Sequence, residues 1–212
     1  MSWLEQLRAI NWGDAGLVIA GAYVMGCFAT GYYLVRALRG QDIRTLESGN
    51  IGARNVGRVL GRAGFLVTTL GDALKGALAI WAARAFFLDE RITLLALLAV
   101  VAGHIWPAQL RCRGGKGVAT SLGALAVYDW HVLVAYAIIF GAGWLLARRT
   151  VLPGVFAFVS LPGADSWLHR DNFGVVLLAS LSAMVLFAHR KNLVNEILWL
   201  NARPRAASKS EQ

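Results

Sequence analysis

The sequence predicts an all-α membrane protein with about seven transmembrane helices, because of its composition, its long uncharged runs and the placement of its basic residues. Of 212 residues, 57% are hydrophobic and only 16% are charged, whereas a soluble domain carries roughly 25% charged residues. The mean hydropathy is +0.54. We expect one polytopic membrane domain over residues 1–200 and a flexible cytoplasmic tail at 201–212.

Seven apolar segments supply the predicted helices. They cover residues 15–35, 63–88, 92–110, 118–128, 132–147, 151–168 and 173–188. Runs of roughly 17–25 apolar residues fit one bilayer crossing each. The fourth segment is short, since its helix would cover only about 16 Å of a hydrocarbon core roughly 30 Å thick. An even number of crossings is nevertheless needed between the basic residues Arg113 and Arg148, which favours seven helices over five.

Most of the 21 lysines and arginines lie on one side of these segments. They are Arg36, Arg39, Arg44, Arg54, Arg58, Arg62, Arg111, Arg113, Lys116, Arg148, Arg149, Arg190, Lys191, Arg203, Arg205 and Lys209. Only Arg8, Arg91 and Arg170 fall on the other side. The positive-inside rule then puts the N-terminus outside and the C-terminus in the cytoplasm. The net charge of +9 is explained by this topology, and nucleic acid is not an expected partner.

The first predicted cytoplasmic loop has the composition of an anion-binding site. It reads Ser48-Gly49-Asn50-Ile51-Gly52-Ala53-Arg54-Asn55, and Arg58 follows. Glycines expose backbone N–H groups, and arginine offers forked donors to phosphate oxygens. A flexible loop with positive-inside arginines would have a similar composition, but the serine and asparagine side chains favour a site.

The second predicted cytoplasmic loop leads directly into an apolar helix. It contains Gly114, Gly115, Lys116 and Gly117. The unpaired N–H groups and the dipole of a helix N-terminus add to the lysine charge, which suits a phosphate. The loop is not a Walker A motif, because Leu110 replaces its first glycine and Gly117 its Ser/Thr. A nucleotide-driven pump or a kinase is therefore disfavoured.

Four ionisable residues lie within or at the ends of apolar segments. Asp72 and Lys75 are three residues apart on one helix face, where unpaired charges would be costly. They are expected either to form a structural ion pair or to serve the site. His104 and His189 lie near cytoplasmic helix ends, where each could contact a phosphate, orient a hydroxyl or simply be a hydrogen-bonded boundary residue.

The motifs taken together resemble the acyl-phosphate-dependent glycerol-3-phosphate acyltransferases, the PlsY family. The motifs, which span residues 26–197, are Ser48-Gly49-Asn50-Ile51-Gly52-Ala53-x-Asn55 with Arg58, Asp72-x-x-Lys75-Gly76, Gly103-His104 with Pro107, Arg113-Gly114-Gly115-Lys116-Gly117-Val118-Ala119-Thr120, and His189-Arg190-x-Asn192. The resemblance implies transfer of a fatty acyl group from acyl phosphate to the 1-position of glycerol 3-phosphate, giving lysophosphatidic acid. It also implies a multi-pass protein of the bacterial inner membrane whose active site faces the cytoplasm.

The resemblance also implies roles for individual residues. The catalytic candidates are Ser48, Arg58, Lys116, His189 and Asn192. The substrate-binding candidates are Asn50, Gly52, Asn55, Asp72, Lys75, His104, Gly114, Gly115 and Gly117. The expected partners are acyl phosphate, glycerol 3-phosphate and membrane lipids, with no metal or other cofactor and a monomeric chain.

Several positions depart from the family pattern and leave other functions open. Glu47 replaces a glycine, Arg54 replaces a threonine, and the serines expected after Arg149 are missing around Leu152; near Asn195 a Gly-x-Glu is absent. One alternative is a divergent member that uses another phosphorylated acceptor or binds lipid phosphates without turnover. A transporter of phosphorylated solutes would need more polar residues across the membrane. A serine hydrolase using Ser48 and His189 would lack the G-x-S-x-G elbow.

Overall fold

The computed structural model describes residues 2–86, 89–169 and 171–202, and these residues form helices joined by short loops. In chain order the helices are α1 (Trp3–Arg8), α2 (Trp12–Cys27), α3 (Thr30–Arg39), α4 (Ala53–Phe86), α5 (Glu90–Ile105), α6 (Val118–Tyr128), α7 (Trp130–Ala147), α8 (Val151–Val159), α9 (Leu161–Leu168) and α10 (Asn172–Ala202). Single 3₁₀ turns occupy Ile43–Thr45 and Ala108–Leu110. The expected all-α class is confirmed, and β-strands are absent from the described residues.

Six helical stretches in the described part of the chain are long and apolar enough to cross a bilayer. They are Trp12–Arg39, Ala53–Phe86, Glu90–Leu110, Trp130–Ala147, Val151–Leu168 and Asn172–Trp199. The fourth predicted segment is the shorter helix α6, with the bounds expected from sequence. Helix α10 continues two residues into the expected tail, while residues 203–212 lie outside the described residues. So do Arg170 and the last two residues of the second predicted segment, 87–88.

Two predicted segments are each divided into two helices. The first is interrupted between α2 and α3, where Phe28 has an extended backbone (φ −64°, ψ 106°). The carbonyls freed there are bonded by distant side chains: Lys75 Nζ donates to Phe28 O over 2.6 Å, and Gln109 donates to Cys27 O. Such bonds are needed because an unpaired carbonyl in an apolar interior is costly. The second division separates α8 from α9, just before Pro162 in the first turn of α9.

Helix α4 begins ten residues before the second predicted segment and changes direction at Gly61. Its backbone there has φ 74° and ψ −165°, a conformation that only glycine adopts without strain. The earlier start adds a basic N-terminal portion to an apolar helix. That portion carries Arg54, Arg58 and Arg62.

Small residues allow the central helices to approach closely. A Cβ added to Gly26 of α2 would lie 2.1 Å from the Val100 carbonyl oxygen of α5, and one added to Gly103 of α5 would lie 2.1 Å from Tyr23 O. Helices α4 and α6 meet in the same way, since a Cβ on Gly123 would lie 1.9 Å from Ala73 O. Contacts of this kind bring helix backbones together in membranes, where hydrophobicity between helices gives little drive.

The two ends of this helical bundle differ in their polar contacts. At one end, where α5 and α10 begin, Arg91 bonds Asp89 and the Gln6 carbonyl, and Gln6 donates to Asp171 over 2.8 Å. We call this the N-terminal end. The other end carries the loops 40–52, 111–117 and 148–150, and we call it the loop end. The candidate residues found from the sequence lie in these loops or in the helices next to them.

Candidate active site

The first loop is shaped by two asparagines. Asn55 is 1% exposed; its Oδ1 accepts the Ser48 N–H over 3.0 Å, and its Nδ2 donates to Leu46 O over 3.1 Å. Asn50 Oδ1 accepts the Gly52 N–H over 2.7 Å. The Asn55 amide is thus engaged with the backbone of its own loop, and it fixes the position of the exposed Ser48.

The second loop is packed tightly on the end of α5. A Cβ added to Gly114 would lie 2.1 Å from His104 O, and one added to Gly115 would lie 2.0 Å from His104 Nε2. The N–H groups of Gly114 and Gly115 donate to Ile105 O and His104 O over 3.1 and 3.0 Å. These two N–H groups are therefore bonded within the protein. The donors left for an anion are those of the first turn of α6, which Gly117 begins at φ 84°, together with Lys116.

A buried charged group lies beneath the second loop. Lys75 Nζ is 3.0 Å from Asp72 Oδ1, 2.7 Å from His104 Nδ1 and 2.6 Å from Phe28 O. The ion pair expected from the spacing of Asp72 and Lys75 is therefore present. An ammonium can only donate, so Nδ1 of His104 is an acceptor and the neutral ring carries its proton on Nε2, under Gly115. In this arrangement the three residues support the glycine loop from below.

Three contacts join the loops to one another or to the neighbouring helices α4 and α10. Arg44 Nη1 of the first loop donates to Leu110 O, before the second loop, over 2.9 Å. Arg54 Nη1 of α4 donates to Thr150 Oγ1 over 3.0 Å. Arg149 forms an ion pair of 2.7 Å with Glu196 of α10. The serine-asparagine segment, the glycine-lysine segment and the last turns of α10 therefore meet at one end of the molecule.

Lys116 lies in a positive environment. Burial and the charges of Arg54 and Arg58 together lower the pKa of Lys116 to about 8. Burial is the largest cause, and the two guanidinium groups follow. An ammonium held beside two other cations has a strong electrostatic preference for an anion.

His189 completes the group from α10. Its Nδ1 lies 2.9 Å from Val185 O, and because a carbonyl only accepts, Nδ1 carries the proton of the neutral ring. This leaves the Nε2 lone pair free to accept a proton. Its ring interacts electrostatically with Lys116 and Arg54. Asn192 lies three residues further on α10, on the same helix face, and is partly exposed.

An open cavity of about 340 Å³ runs along the first turns of α4. Its lining consists of Arg54, Gly57, Arg58, Gly61, Arg62 and Phe65. Arg58, Arg62 and Lys116 make no hydrogen bond or ion pair to other described residues, so three cationic groups near this cavity are without a counter-charge. Arg54 was not among the site residues chosen from the sequence, although it belongs to the first loop, whose composition indicated an anion site, and it replaces a threonine of the family pattern.

Comparison with known proteins identifies the family of this chain. Residues 16–198 match the family model described as glycerol-3-phosphate acyltransferase. Glycerol-3-phosphate acyltransferase 1 of Desulfitobacterium hafniense (strain Y51) is 45% identical over 184 residues, covering 85% of this chain and 91% of the relative. The glycerol-3-phosphate acyltransferase of Synechococcus sp. (strain CC9902) is 38% identical, with 92% and 96% covered.

Solved structures show the same similarity. PlsY (YgiH), an integral membrane glycerol 3-phosphate acyltransferase, superposes in its glycerol 3-phosphate form with a TM-score of 0.77, at 29% identity over 87% of this chain and 92% of that chain. Its lysophosphatidic acid form gives a TM-score of 0.75 at 27% identity, with 87% and 91% covered. The chain is thus a multi-pass membrane protein, and it belongs to the glycerol-3-phosphate acyltransferase family of PlsY.

Proposed function

We propose that the protein transfers a fatty acyl group from acyl phosphate to the sn-1 hydroxyl of glycerol 3-phosphate, forming lysophosphatidic acid for phospholipid biosynthesis. The observation that carries this proposal is the meeting of Lys116, Arg54 and Arg58 beside the first turn of α6. Such a group of cations suits phosphate groups, which carry about −1.5 to −2 charge each near neutral pH. The names of the relatives and the two forms of PlsY supply the acceptor and the product.

The reaction needs no nucleophile from the protein, because phosphate is already a good leaving group. The acceptor hydroxyl oxygen attacks the acyl carbonyl carbon, the bond from that carbon to the phosphate oxygen breaks, and inorganic phosphate leaves. The hydroxyl proton passes to the departing phosphate or to the free Nε2 of His189. Catalysis then depends on positioning and on charges that stabilise the departing phosphate.

Residues of the site receive roles in this scheme. Lys116 and the N–H groups at the start of α6 would hold the donor phosphate as negative charge grows on it. Arg58 would bind phosphate from the cavity along α4. Ser48 and Asn50 would contact the acceptor, while His189 and Asn192 would orient its hydroxyl. Asn55, His104, Asp72 and Lys75 would act by holding the two loops in place.

The same proposal includes a topology. Helices α6 and α7 would form the two passes between the basic residues Arg113 and Arg148, which makes seven crossings, with the N-terminus outside. The loop end would then face the cytoplasm at the inner membrane of a bacterium. The acyl chain would lie in the bilayer between helices while both phosphate groups remain at the water boundary. The working unit would be a monomer without metal or cofactor.

A second candidate function is acylation of a different phosphorylated acceptor. The observation that favours it is Arg54, which stands in the site where the family pattern has threonine. The positive charge is compatible with any phosphorylated acceptor, so the reaction class would stay the same. Measuring kcat/KM for other phosphorylated alcohols and for glycerol 3-phosphate as acceptors would distinguish the two functions.

The decisive experiment uses purified protein in lipid with palmitoyl phosphate and radiolabelled glycerol 3-phosphate. We expect labelled lysophosphatidic acid that depends on palmitoyl phosphate and is not formed from palmitoyl-CoA. An Arg58→Ala variant should lose most of this activity while keeping its thermal unfolding temperature. Absence of product from the folded wild-type protein, or equal use of acyl-CoA, would contradict the proposed reaction, and an unchanged Arg58→Ala rate would contradict the site.

A further inference from the structure

Arg54 is held in place by a residue from a separate loop. It lies in the first turn of α4, and its Nη1 donates to Thr150 Oγ1 over 3.0 Å. Thr150 comes from the connection between α7 and α8, 96 residues away in the chain. One of the five N–H donors of the guanidinium is used in this bond, which leaves the others for a ligand.

The loop that holds Arg54 is itself anchored to α10. Arg149 pairs with Glu196 over 2.7 Å, and its guanidinium lies 3.4 Å from the centre of the Trp199 ring. Because Thr150 lies in this anchored loop, Arg54 loses less conformational entropy when it binds a ligand than an arginine without such a bond would. Thr150 therefore presents Arg54 to the cavity in a defined orientation.

The surroundings of Arg54 indicate what it can bind. Its charge acts on both Lys116 and His189, so its guanidinium lies within electrostatic range of both groups, and it lines the same cavity as Arg58. The described residues supply no carboxylate in contact with it, since Glu196 is paired with Arg149. A guanidinium without an acidic partner suits bidentate binding of a phosphate.

We propose that Arg54, positioned by Thr150, binds the phosphate of the acceptor and selects phosphorylated over unphosphorylated alcohols. This inference rests on the proposed function, because it names the acceptor as glycerol 3-phosphate. We assign Arg54 to the acceptor because it lies within electrostatic range of His189, which can take the proton of the acceptor hydroxyl. Glycerol 3-phosphate is small, so the residue that binds its phosphate must lie near the residue that takes its proton. Lys116 and the start of α6 remain with the donor.

The lowered pKa of Lys116 adds a second consequence. After burial, the charge of Arg54 is the next largest cause of the lowering of the Lys116 pKa to about 8, ahead of that of Arg58. Replacing Arg54 with a neutral side chain should therefore raise that pKa and move the alkaline loss of activity to higher pH. A substitution that merely disturbed folding would not produce this change.

The test compares Arg54→Gln and Thr150→Val with Arg36→Gln, a control that removes an exposed arginine of α3 outside the cavity. Hydrogen bonds to charged groups contribute about 1.5–3 kcal/mol, so we expect Arg54→Gln to raise the KM for glycerol 3-phosphate about 10- to 100-fold. The kcat and the KM for palmitoyl phosphate should change less than about threefold. Thr150→Val, which replaces the hydroxyl with a methyl group of similar size, should raise the same KM by about threefold to tenfold.

A binding measurement without the donor separates this inference from the reaction. Glycerol 3-phosphate should raise the unfolding temperature of the wild type and of Arg36→Gln in detergent, and should raise that of Arg54→Gln far less. If the wild type is stabilised in this way but forms no product, the inference stands and the proposed reaction fails.

Other outcomes would overturn the inference. They are an unchanged KM for glycerol 3-phosphate in Arg54→Gln, a rise confined to palmitoyl phosphate, or no stabilisation of the wild type by glycerol 3-phosphate. If the wild type makes lysophosphatidic acid and Arg54→Gln keeps its KM, the proposed reaction stands without a role for Arg54.

Discussion

The two ends of the helical bundle differ in how several of their charged residues are paired. At the N-terminal end, Arg84 donates to Glu90 over 3.0 Å and to the Tyr128 carbonyl over 2.8 Å. Asp129 bonds the rings of both His131 and His169. At the loop end, Arg58, Arg62 and Lys116 have no such partner among the described residues, and like charges stand close enough to lower the pKa of Lys116.

The paired charges stabilise the fold, whereas the unpaired charges are available to bind a ligand. Paired groups at the N-terminal end satisfy one another at the edge of the apolar region. Neighbouring cations without counter-charges destabilise a protein, and such groups concentrate at functional sites. Asp165 is an exception near the N-terminal end, since it is buried and neither carboxylate oxygen has a hydrogen-bond partner among the described residues.

The largest expected effect comes from breaking a paired charge in the interior. The side chains of Lys75 and Asp72 are 7% and 4% exposed, and removing one member of a buried pair costs about 3–5 kcal/mol. Lys75→Met should therefore lower the unfolding temperature strongly. Thermal unfolding in detergent measures this, with Asp72→Asn/Lys75→Met as the matched control that should recover part of the loss. An unchanged unfolding temperature in Lys75→Met would mean that the pair does not stabilise the fold.

Removal of an unpaired charge should lower the activity and leave the stability nearly unchanged, which is the opposite of the effect expected for Lys75→Met. Loss of a group that stabilises charge in a transition state typically costs about 10²- to 10³-fold in kcat. Lys116→Ala should show a loss of this size while its unfolding temperature stays within a few degrees of the wild type. Arg36→Ala is the control and should keep its rate. A large drop in unfolding temperature for Lys116→Ala would place Lys116 with the structural charges instead.

The pH profile should report the same lysine. A free lysine titrates near pH 10.4, whereas Lys116 has its pKa lowered to about 8, so its ammonium is lost at lower pH. If the reaction needs that charge, kcat/KM should be level just below pH 8 and should fall about tenfold per pH unit above it. Lys116→Arg keeps its positive charge above pH 8, so the fall in kcat/KM above pH 8 should disappear in this variant. A profile that stays level to pH 10 would contradict the role of Lys116.

The smallest effect is expected at the N-terminal end. Arg84→Gln loses the bonds to Glu90 and to the α6 carbonyls, which should lower the free energy of unfolding by about 1 kcal/mol. Its kcat and KM should stay within about twofold of the wild-type values. Steady-state kinetics and thermal unfolding on the same sample test both statements. A rate loss comparable to that of Lys116→Ala would abolish the distinction between the two ends.

The helices could be predicted from sequence because uncharged runs have few alternatives in a bilayer. The interruption between α2 and α3 could not, since the groups that bond its carbonyls, Lys75 and Gln109, are 47 and 82 residues away. The true start of α4 was missed for another reason. Its first turns carry arginines on a helix face next to water, which hydropathy cannot distinguish from a loop.

Short motifs indicate candidate site residues, but they do not show which backbone groups the chain conformation leaves free. The motifs indicated Lys116 and Arg58, which the structure brings near each other. They also indicated Gly114 and Gly115 as N–H donors, but these glycines are required for close packing on His104, and their N–H groups are already bonded. Arg54 was passed over because its partner, Thr150, is near only in space.

The single ammonium of Lys75 also constrains how the protein is made. It bonds the interruption between α2 and α3, the carboxylate of its own helix and the ring of His104 on α5. When only the first two hydrophobic stretches of the nascent chain are in the membrane, the Lys75 ammonium is present but the His104 ring that it contacts is not. The early helices can therefore enter the bilayer in sequence, but their final docking must wait until the third stretch has left the ribosome.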